Sequence, residues 1–368
     1  AANRIGMSRM RELAVRYGAP LLRQAMRETL SYSERRMQAA LDTIPDGSWE
    51  GSGQVDSDVR GGEPLVVKVK VTVASGRMTL DFAGTCPQVN SMFNSSRSSS
   101  LAAIVSAVRS VLADKDIPAN DGLMNLLDIR LPQGSILNPD PGKPVRARIE
   151  ASYRAADAVY AALAQAIPER VPSDGFNSTT GLYLTQTTTG GRVRIYGDVL
   201  GGGYGAGVNY DGAHALAGIL SSSRNTPIEA IEQIHPHIRM RHYKLVQDSS
   251  GAGQWRGGLG FSRAIEVLED GVTLSFYSDH FRFAPRGRNG GMEGGMGSLK
   301  VHRGNELLEF PATAVVPLKK GDVVELSVGG GAGWGDPSAR RPEAIEDDLA
   351  DGIISSEFAR RHYPNSTR

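Results

Sequence analysis

The chain has 368 residues, 44 of them glycine, nearly twice the usual share of about 7%. Hydrophobic residues at 40% and charged residues at 22% support a buried core and exclude disorder as a global description. With 41 Lys and Arg against 40 Asp and Glu, the net charge of +1 creates no field that would draw the protein to nucleic acid or to a membrane.

Apolar spacing predicts a first helix over 5–17 and, after Gly18-Ala19-Pro20, a second from Pro20 to about Leu41. Leu22, Met26, Leu30, Met37 and Leu41 form one stripe of that second helix, and Arg23, Arg27, Arg35 and Arg36 its solvated face. A hairpin is expected from strands 65–73 and 78–82 across Ala74-Ser75-Gly76. An Ala- and Ser-rich helix over 101–112 follows, then a Pro/Gly/Asn loop over 132–144, then a helix over 150–167 that stops at Pro168. Beyond it strands dominate, at 183–187, 193–196, 245–247, 262–267, 273–277, 299–302 and 323–328, with a helical 228–234 between them. Two short helices are expected within 342–363. The fold class is therefore α+β. A helical and hairpin part spans 1–134, and a mostly β part of the same body spans 135–368.

Cys86, alone of its kind, makes neither an internal disulfide nor a thiolate zinc site, which fits a cytoplasmic location. No apolar run reaches the roughly 18 residues of a membrane span; the nearest is broken by Ser106, Arg109 and Ser110. The chain opens Ala1-Ala2-Asn3-Arg4 without methionine, so a processed product, a trimmed form or part of something longer is expected.

The glycine runs invite a nucleotide-binding reading, which their spacing does not support. The Gly142-Lys143 pair is followed by Pro144 and has Leu137 where a P-loop needs its first glycine. A loose dinucleotide pattern fits once, at Gly201, Gly203 and Ala206, without a helix after it or an acidic residue about 20 positions on. Gly201, Gly202 and Gly203 remain candidates for a backbone-lined wall of a substrate site. His235, His237 and His242 lack an interleaved carboxylate and are read as polar strand residues, so no metal ligand is assigned. Asn94, with Ser95 and Ser96 before the Ala-rich helix, either caps it or binds a polar substrate. Arg97, Glu150, Arg224 and Asn225 join Asn94 as candidate substrate-binding residues, and Thr226 with Pro227 is a helix start. No catalytic residue is assigned.

Several strings together resemble the B-type subunits of hydantoinases and 5-oxoprolinases, a family that includes large subunits of acetone and acetophenone carboxylases. They are Tyr32-Ser33-Glu34-Arg35-Arg36-Met37, Asp81-Phe82-Ala83-Gly84-Thr85, Ile136-Leu137-Asn138-Pro139 and Gly201-Gly202-Gly203-Tyr204-Gly205-Ala206. Arg224-Asn225-Thr226-Pro227-Ile228-Glu229 and the most specific string, running from Asp248 through Gln254-Trp255-Arg256-Gly257-Gly258-Leu259-Gly260, come next in order. Ser278-Asp279-His280-Phe281-Arg282-Phe283-Ala284-Pro285 and the glycine run from Gly329 to Pro337 complete the series.

The resemblance implies a heteromeric complex that hydrolyses a cyclic amide or imide of hydantoin, oxoproline or lactam type through a phosphorylated intermediate. ATP and Mg lie on an A-type ATPase partner. A divalent metal, Zn or Mn, lies on an amino-terminal B-type region ahead of Ala1, on the same or a separate chain. The same resemblance allows a subunit of an ATP-dependent ketone carboxylase, and a non-catalytic scaffold is the third alternative. Two departures stand out. Asn94-Ser95-Ser96 replaces a frequent Asn-Cys-Thr, which removes a thiol role, and Ala147-Arg148-Ile149-Glu150-Ala151 keeps only the glutamate of Gly-Asn-Val-Glu-Thr.

Overall fold

In the computed structural model, residues 1–59, 61–112, 117–188, 190–216, 218–220 and 226–364 are described. Arg224 and Asn225, expected at a substrate site, lie outside them. Helices α1 (Ala2–Tyr17) and α2 (Ala19–Leu41) form an arm. It differs from the expected half-buried pair: α1 buries no residue, and only Ser33, Met37 and Leu41 of α2 enter the body. Leu30 and Met26, on the predicted stripe, stay exposed because the stripe meets the core only over its last turns.

Strands β1 (Gly47–Val55), β2 (Leu65–Ala74) and β3 (Arg77–Asp81) form an antiparallel meander. The β2–β3 turn has two successive positive φ values, 50° at Ser75 and 72° at Gly76, which suits the right-handed twist of its strands. Helix α3 (Arg97–Leu112) leads to β4 (Leu127–Arg130), which pairs parallel with β3. Helix α4 (Arg148–Leu163) packs on α3, β1 and β2. It is buried almost all round, as its alanine content allows. Strand β1 lies so close that a Cβ on Gly51 or Gly53 would stand 2.1 Å from the Ala158 carbonyl or 2.4 Å from the Arg154 carbonyl.

The second half adds β5 (Thr180–Thr187), β6 (Val193–Leu200), α5 (Ile228–Ile234), β7 (Ile238–Leu245), β8 (Phe261–Val267) and β9 (Val272–Tyr277). Strands β10 (Ser298–Arg303), β11 (Glu306–Phe310), β12 (Thr313–Leu318) and β13 (Val323–Val328) follow, then α6 (Pro342–Ala350) and α7 (Ser356–His362). They build two antiparallel sheets, ordered β11-β10-β13-β8-β7 and β12-β9-β5-β6, so the class is α+β. One core joins residues from Met37 to Val171 together with Tyr277, and a second joins residues between Phe176 and Val328. The 132–144 loop, where a division was expected, contributes Ile136 and Leu137 to the first core. Among the described residues, no helix is long and apolar enough to cross a membrane.

The glycine-rich runs that follow β6 of one sheet and β13 of the other meet backbone to backbone. Residues 329–335 are the hub, and their backbone bonds leave in several directions instead of one sheet plane. The Gly329 carbonyl accepts from Gly203 N–H at 3.0 Å, and the Gly331 N–H donates to Gly258 at 2.8 Å. Ala332 N–H donates to Asp174 at 2.9 Å and Gly333 N–H to Met292 at 2.9 Å. Such packing has no room for Cβ atoms: one on Gly331 would lie 2.0 Å from the Tyr204 carbonyl, and one on Gly203 2.0 Å from that of Gly258.

Gly331→Ala is expected to lower stability by about 3 kcal/mol or more, at the upper end of overpacking costs because the obstacle is backbone. Gly6→Ala meets no atom within 4 Å and lies inside exposed α1; it is expected to be neutral or to add up to about 1 kcal/mol. Urea unfolding midpoints of the two variants test the contrast.

Candidate functional site

Glu150, Arg154 and Asp157 stand four and three residues apart, on one face of α4 that is pressed against the second half of the chain. All three are buried. Glu150 Oε1 accepts from the N–H and the hydroxyl of Thr179 at 2.9 and 2.8 Å, while Oε2 has no hydrogen-bond partner among the described residues. The Arg154 guanidinium pairs with Asp157 at 3.0 Å, donates to the Asn177 carbonyl at 2.8 Å, and lies 3.6 Å from the Asp279 carboxylate. Asn177 in turn donates to Asp157 at 3.1 Å.

Its other contact is His280, just after β9, in the left-handed region at φ 61°. Arg154 can only donate, so Nε2 of His280 accepts from it. The proton therefore sits on Nδ1 and is given to the Phe283 carbonyl at 2.6 Å. Burial, aided by the Arg154 charge, pushes the imidazole pKa down to about 3. His280 is thus a neutral ring of fixed tautomer.

The surrounding carboxyls differ. Burial pushes Asp157 up to about 6 despite the Arg154 charge. Burial likewise raises Asp279, Asp56 and Glu150. Asp174 goes the other way: burial would raise it, but Arg288 and Arg286 hold it below the usual range. They bond its two oxygens at 2.6 and 3.0 Å. Asp56 and Asp279 clasp backbone across the halves, with Asp56 N–H donating to Asp279 at 2.8 Å and Phe281 N–H donating to Asp56 at 2.6 Å.

Of these groups Arg154, Asp157, Asp174, His280 and Arg286 line a cavity of about 310 Å³, together with Arg282 and Glu293. Arg154, Asp157, Asp174 and His280 form its buried floor, and the exposed Arg282 and Arg286 stand at its mouth. Arg282 donates to the Asp56 and Gly62 carbonyls at 2.9 Å each. The arrangement offers a guanidinium mouth for an anionic group and, on the floor, a carboxyl able to exchange a proton near neutrality.

Of the expected site residues, only Glu150 shares this helix face. Asn94 is buried with its amide committed to backbone: Oδ1 accepts from Val89 N–H at 2.8 Å, and Nδ2 donates to the carbonyls of Val89, Ser91 and Pro144. It braces the loop before α3, while Ser96 serves as the cap, accepting from Ser99 N–H at 3.4 Å. The loop meets α4 through a 2.8 Å bond between the Ser95 and Ser152 hydroxyls. Arg97 is exposed at the start of α3. Gly202 and Gly203 sit in the glycine hub, where the N–H groups of Gly203, Tyr204 and Ala206 donate to protein carbonyls. Helix α5 begins at Ile228 with Pro227, not Thr226, in the capping position. Sequence reasoning missed Arg154 and Asp157. The signal was present, since two charges four and seven residues after Glu150 interrupt an alanine-rich helix. As for the metal implied by the resemblance, no three His, Cys, Asp or Glu side chains among the described residues could hold an ion. The residues present do not fit that group.

Residues 1–337 match the family described as hydantoinase B/oxoprolinase. A putative B-type subunit of a D-/L-hydantoinase from Pseudomonas sp. (strain NS671) is 33% identical over 99% of this chain and 63% of its own length. The crystal structure of ATP-dependent caprolactamase from Pseudomonas jessenii superposes with a TM-score of 0.86 at 25% identity, over 98% of this chain and 64% of that one. A nucleotide-free acetone carboxylase structure shares the fold, with a TM-score of 0.81 at 20% identity over 96% of this chain and 54% of that one. The chain thus spans a little under two thirds of the length of the hydantoinase relative it matches.

Arg154→Met would strand Asp157 and Asp279 without their counter-charge, and a loss of about 3–5 kcal/mol is expected in urea unfolding. Two opposed pH effects are expected as well. Asp157, with its folded pKa raised from 3.8 to about 6, contributes stability at low pH that is lost as pH rises through that window. His280, lowered from 6.5 to about 3, contributes stability at higher pH that is lost as pH falls through its own window. Asp157→Asn removes the first and leaves the second, so its stability should fall more steeply on acidification than that of the parent. Unfolding curves between about pH 4 and pH 7 read the difference.

Proposed function

The chain belongs to the hydantoinase B/oxoprolinase family, and on that premise we propose that it is the larger part of a B-type subunit that opens a cyclic amide or imide of hydantoin, oxoproline or lactam type. An amide oxygen is a poor leaving group, and phosphorylation by an ATP-using A-type partner, with its Mg, would activate it. An amino-terminal B-type region would supply the divalent metal, Zn or Mn. The observation that carries the reading is the cavity under α4, with its buried Arg154, Asp157 and His280 below an Arg282 and Arg286 mouth. The mouth guanidinium groups would orient the anionic, activated substrate. Asp157, ionised for the most part above about pH 6, would take a proton as water adds. Arg154 and Asn177 hold Asp157 in place, and Glu150 continues the same face. In this reading Asn94, Gly201, Gly202 and Gly203 support the walls, and Arg97, Arg224 and Asn225 remain proposed contacts for substrate or partner.

The chain joined to a B-type amino-terminal region and mixed with an A-type partner is expected to open hydantoin, 5-oxoproline or caprolactam only when ATP is present. Asp157→Asn should cost about a hundredfold or more in kcat and remove the ionisation near pH 6 from the pH–rate profile. Turnover confined to a ketone with bicarbonate would replace the hydrolase reading with a carboxylase. Full turnover without this chain would make it a scaffold.

A further inference from the structure

A second concavity of about 790 Å³ lies along the β12-β9-β5-β6 sheet where Tyr277 joins, and Tyr183 packs on, the first core, and it shares no lining residue with the ionic cavity. Its floor is aromatic. Tyr183 of β5 and Tyr277 of β9 stack with ring centroids 6.5 Å apart and planes inclined by 22°. Glycine makes this possible at two registers. Gly181 faces Tyr277 across the β5–β9 ladder, and Gly197 faces Tyr183 across the β5–β6 ladder. A Cβ on Gly181 would stand 2.3 Å from the Tyr277 ring, and one on Gly197 2.9 Å from the Tyr183 ring. Both rings therefore lie down on the sheet, where any larger residue would lift them.

Above the floor, the Arg146 guanidinium sits 4.9 Å from the Tyr183 ring centroid. Among the described residues Arg146 has no ion pair and no hydrogen bond, so its charge and its five donors are unanswered. The rim is apolar and open, with Ile195 57% and Val315 75% exposed. A flat aromatic floor, apolar rims and one free planar cation recognise a small organic acid. The body would lie on the tyrosines, and the carboxylate would take the guanidinium fork side on. The volume falls in the range of about 300–1,000 Å³ typical of small-molecule sites.

We propose that this concavity binds a small monocarboxylate with a flat or short apolar body, held by Arg146 over the Tyr183–Tyr277 floor. The site is separate from the cavity under α4 and stands whether or not that cavity is catalytic.

Calorimetric titration of the full chain with phenylacetate and hexanoate, beside the neutral phenylacetamide and hexanamide, tests the assignment. Saturable binding of the acids is expected, with the amides weaker. Arg146→Gln should weaken the acids by about tenfold or more, as the loss of a charge-assisted bidentate contact implies, and leave the amides unchanged. Because Arg146 is exposed and unpaired, that variant should fold, which its unfolding midpoint verifies. No saturable binding up to about 10 mM, a ceiling that already corresponds to negligible affinity, would overturn the proposal, as would amides binding as tightly as acids. A dimer that Val315→Glu converts to monomer, with no effect of added acid, would also overturn it and assign the face to a second copy of the chain.

Discussion

The contact of backbone with backbone around residues 329–335 is the constraint on which the site depends. A segment whose N–H and C=O groups leave in several directions can have neighbours on all sides only if no side chain intervenes. Glycine at Gly203, Gly258, Gly329 and Gly331 meets that condition. The neighbours so gathered include the pieces that carry charge. Ala332 holds the Asp174 carbonyl, Asp174 N–H donates to the Arg286 carbonyl, and the Ser173 hydroxyl donates to Gly333. Asp174 and the arginines that bond it therefore reach the cavity from a frame fixed by missing side chains.

Arg154 is the counterpart on the other wall. A buried guanidinium is expensive unless paired, and here Asp157, Asp279 and the Asn177 carbonyl answer it. More carboxyls crowd the region than there are buried cations to match them. The shifts show how the conflict resolves. Asp174, bonded by two arginines, stays charged easily, whereas Asp157 and Asp279, leaning on one shared guanidinium, are pushed up by burial. One cavity thus brings carboxyls of opposite tendency together with a neutral imidazole, the condition under which proton transfer becomes selective.

Much of the fold was legible as periodicity. The β2–β3 hairpin, α4, α5 and β13 announce themselves by alternation, helical spacing or turn residues. Other elements did not, each for a local reason. β1 reads Gly-Ser-Trp-Glu-Gly-Ser-Gly, poor strand chemistry that exists because Gly51 and Gly53 must admit α4. β12 carries Pro317, tolerable on the edge strand it proves to be. β7 was placed at its very end because a bulge between Met240 and His242 breaks its alternation. For the site, the strings around Glu150 and His280 were visible, but 130 positions separate them in the chain. Neither hydropathy nor spacing reveals that Arg154 joins the two.

The same logic separates the glycines into two uses. At Gly76, glycine serves a turn, where φ must be positive. At Gly51 and Gly53, as at Gly331, φ is ordinary, and what matters is the surface removed. The first pair lets β1 lie against α4, beside the cavity that Ser52, Gly53 and Gln54 help to line, and the hub bonds the backbone of Asp174, Arg288 and Met292. The cavity is therefore framed in part by positions that carry no chemistry of their own. A glycine remote from the cavity can thus control its geometry without touching a substrate, and a glycine excess that imitates a phosphate signature in the sequence acts in the fold as a device for positioning charge.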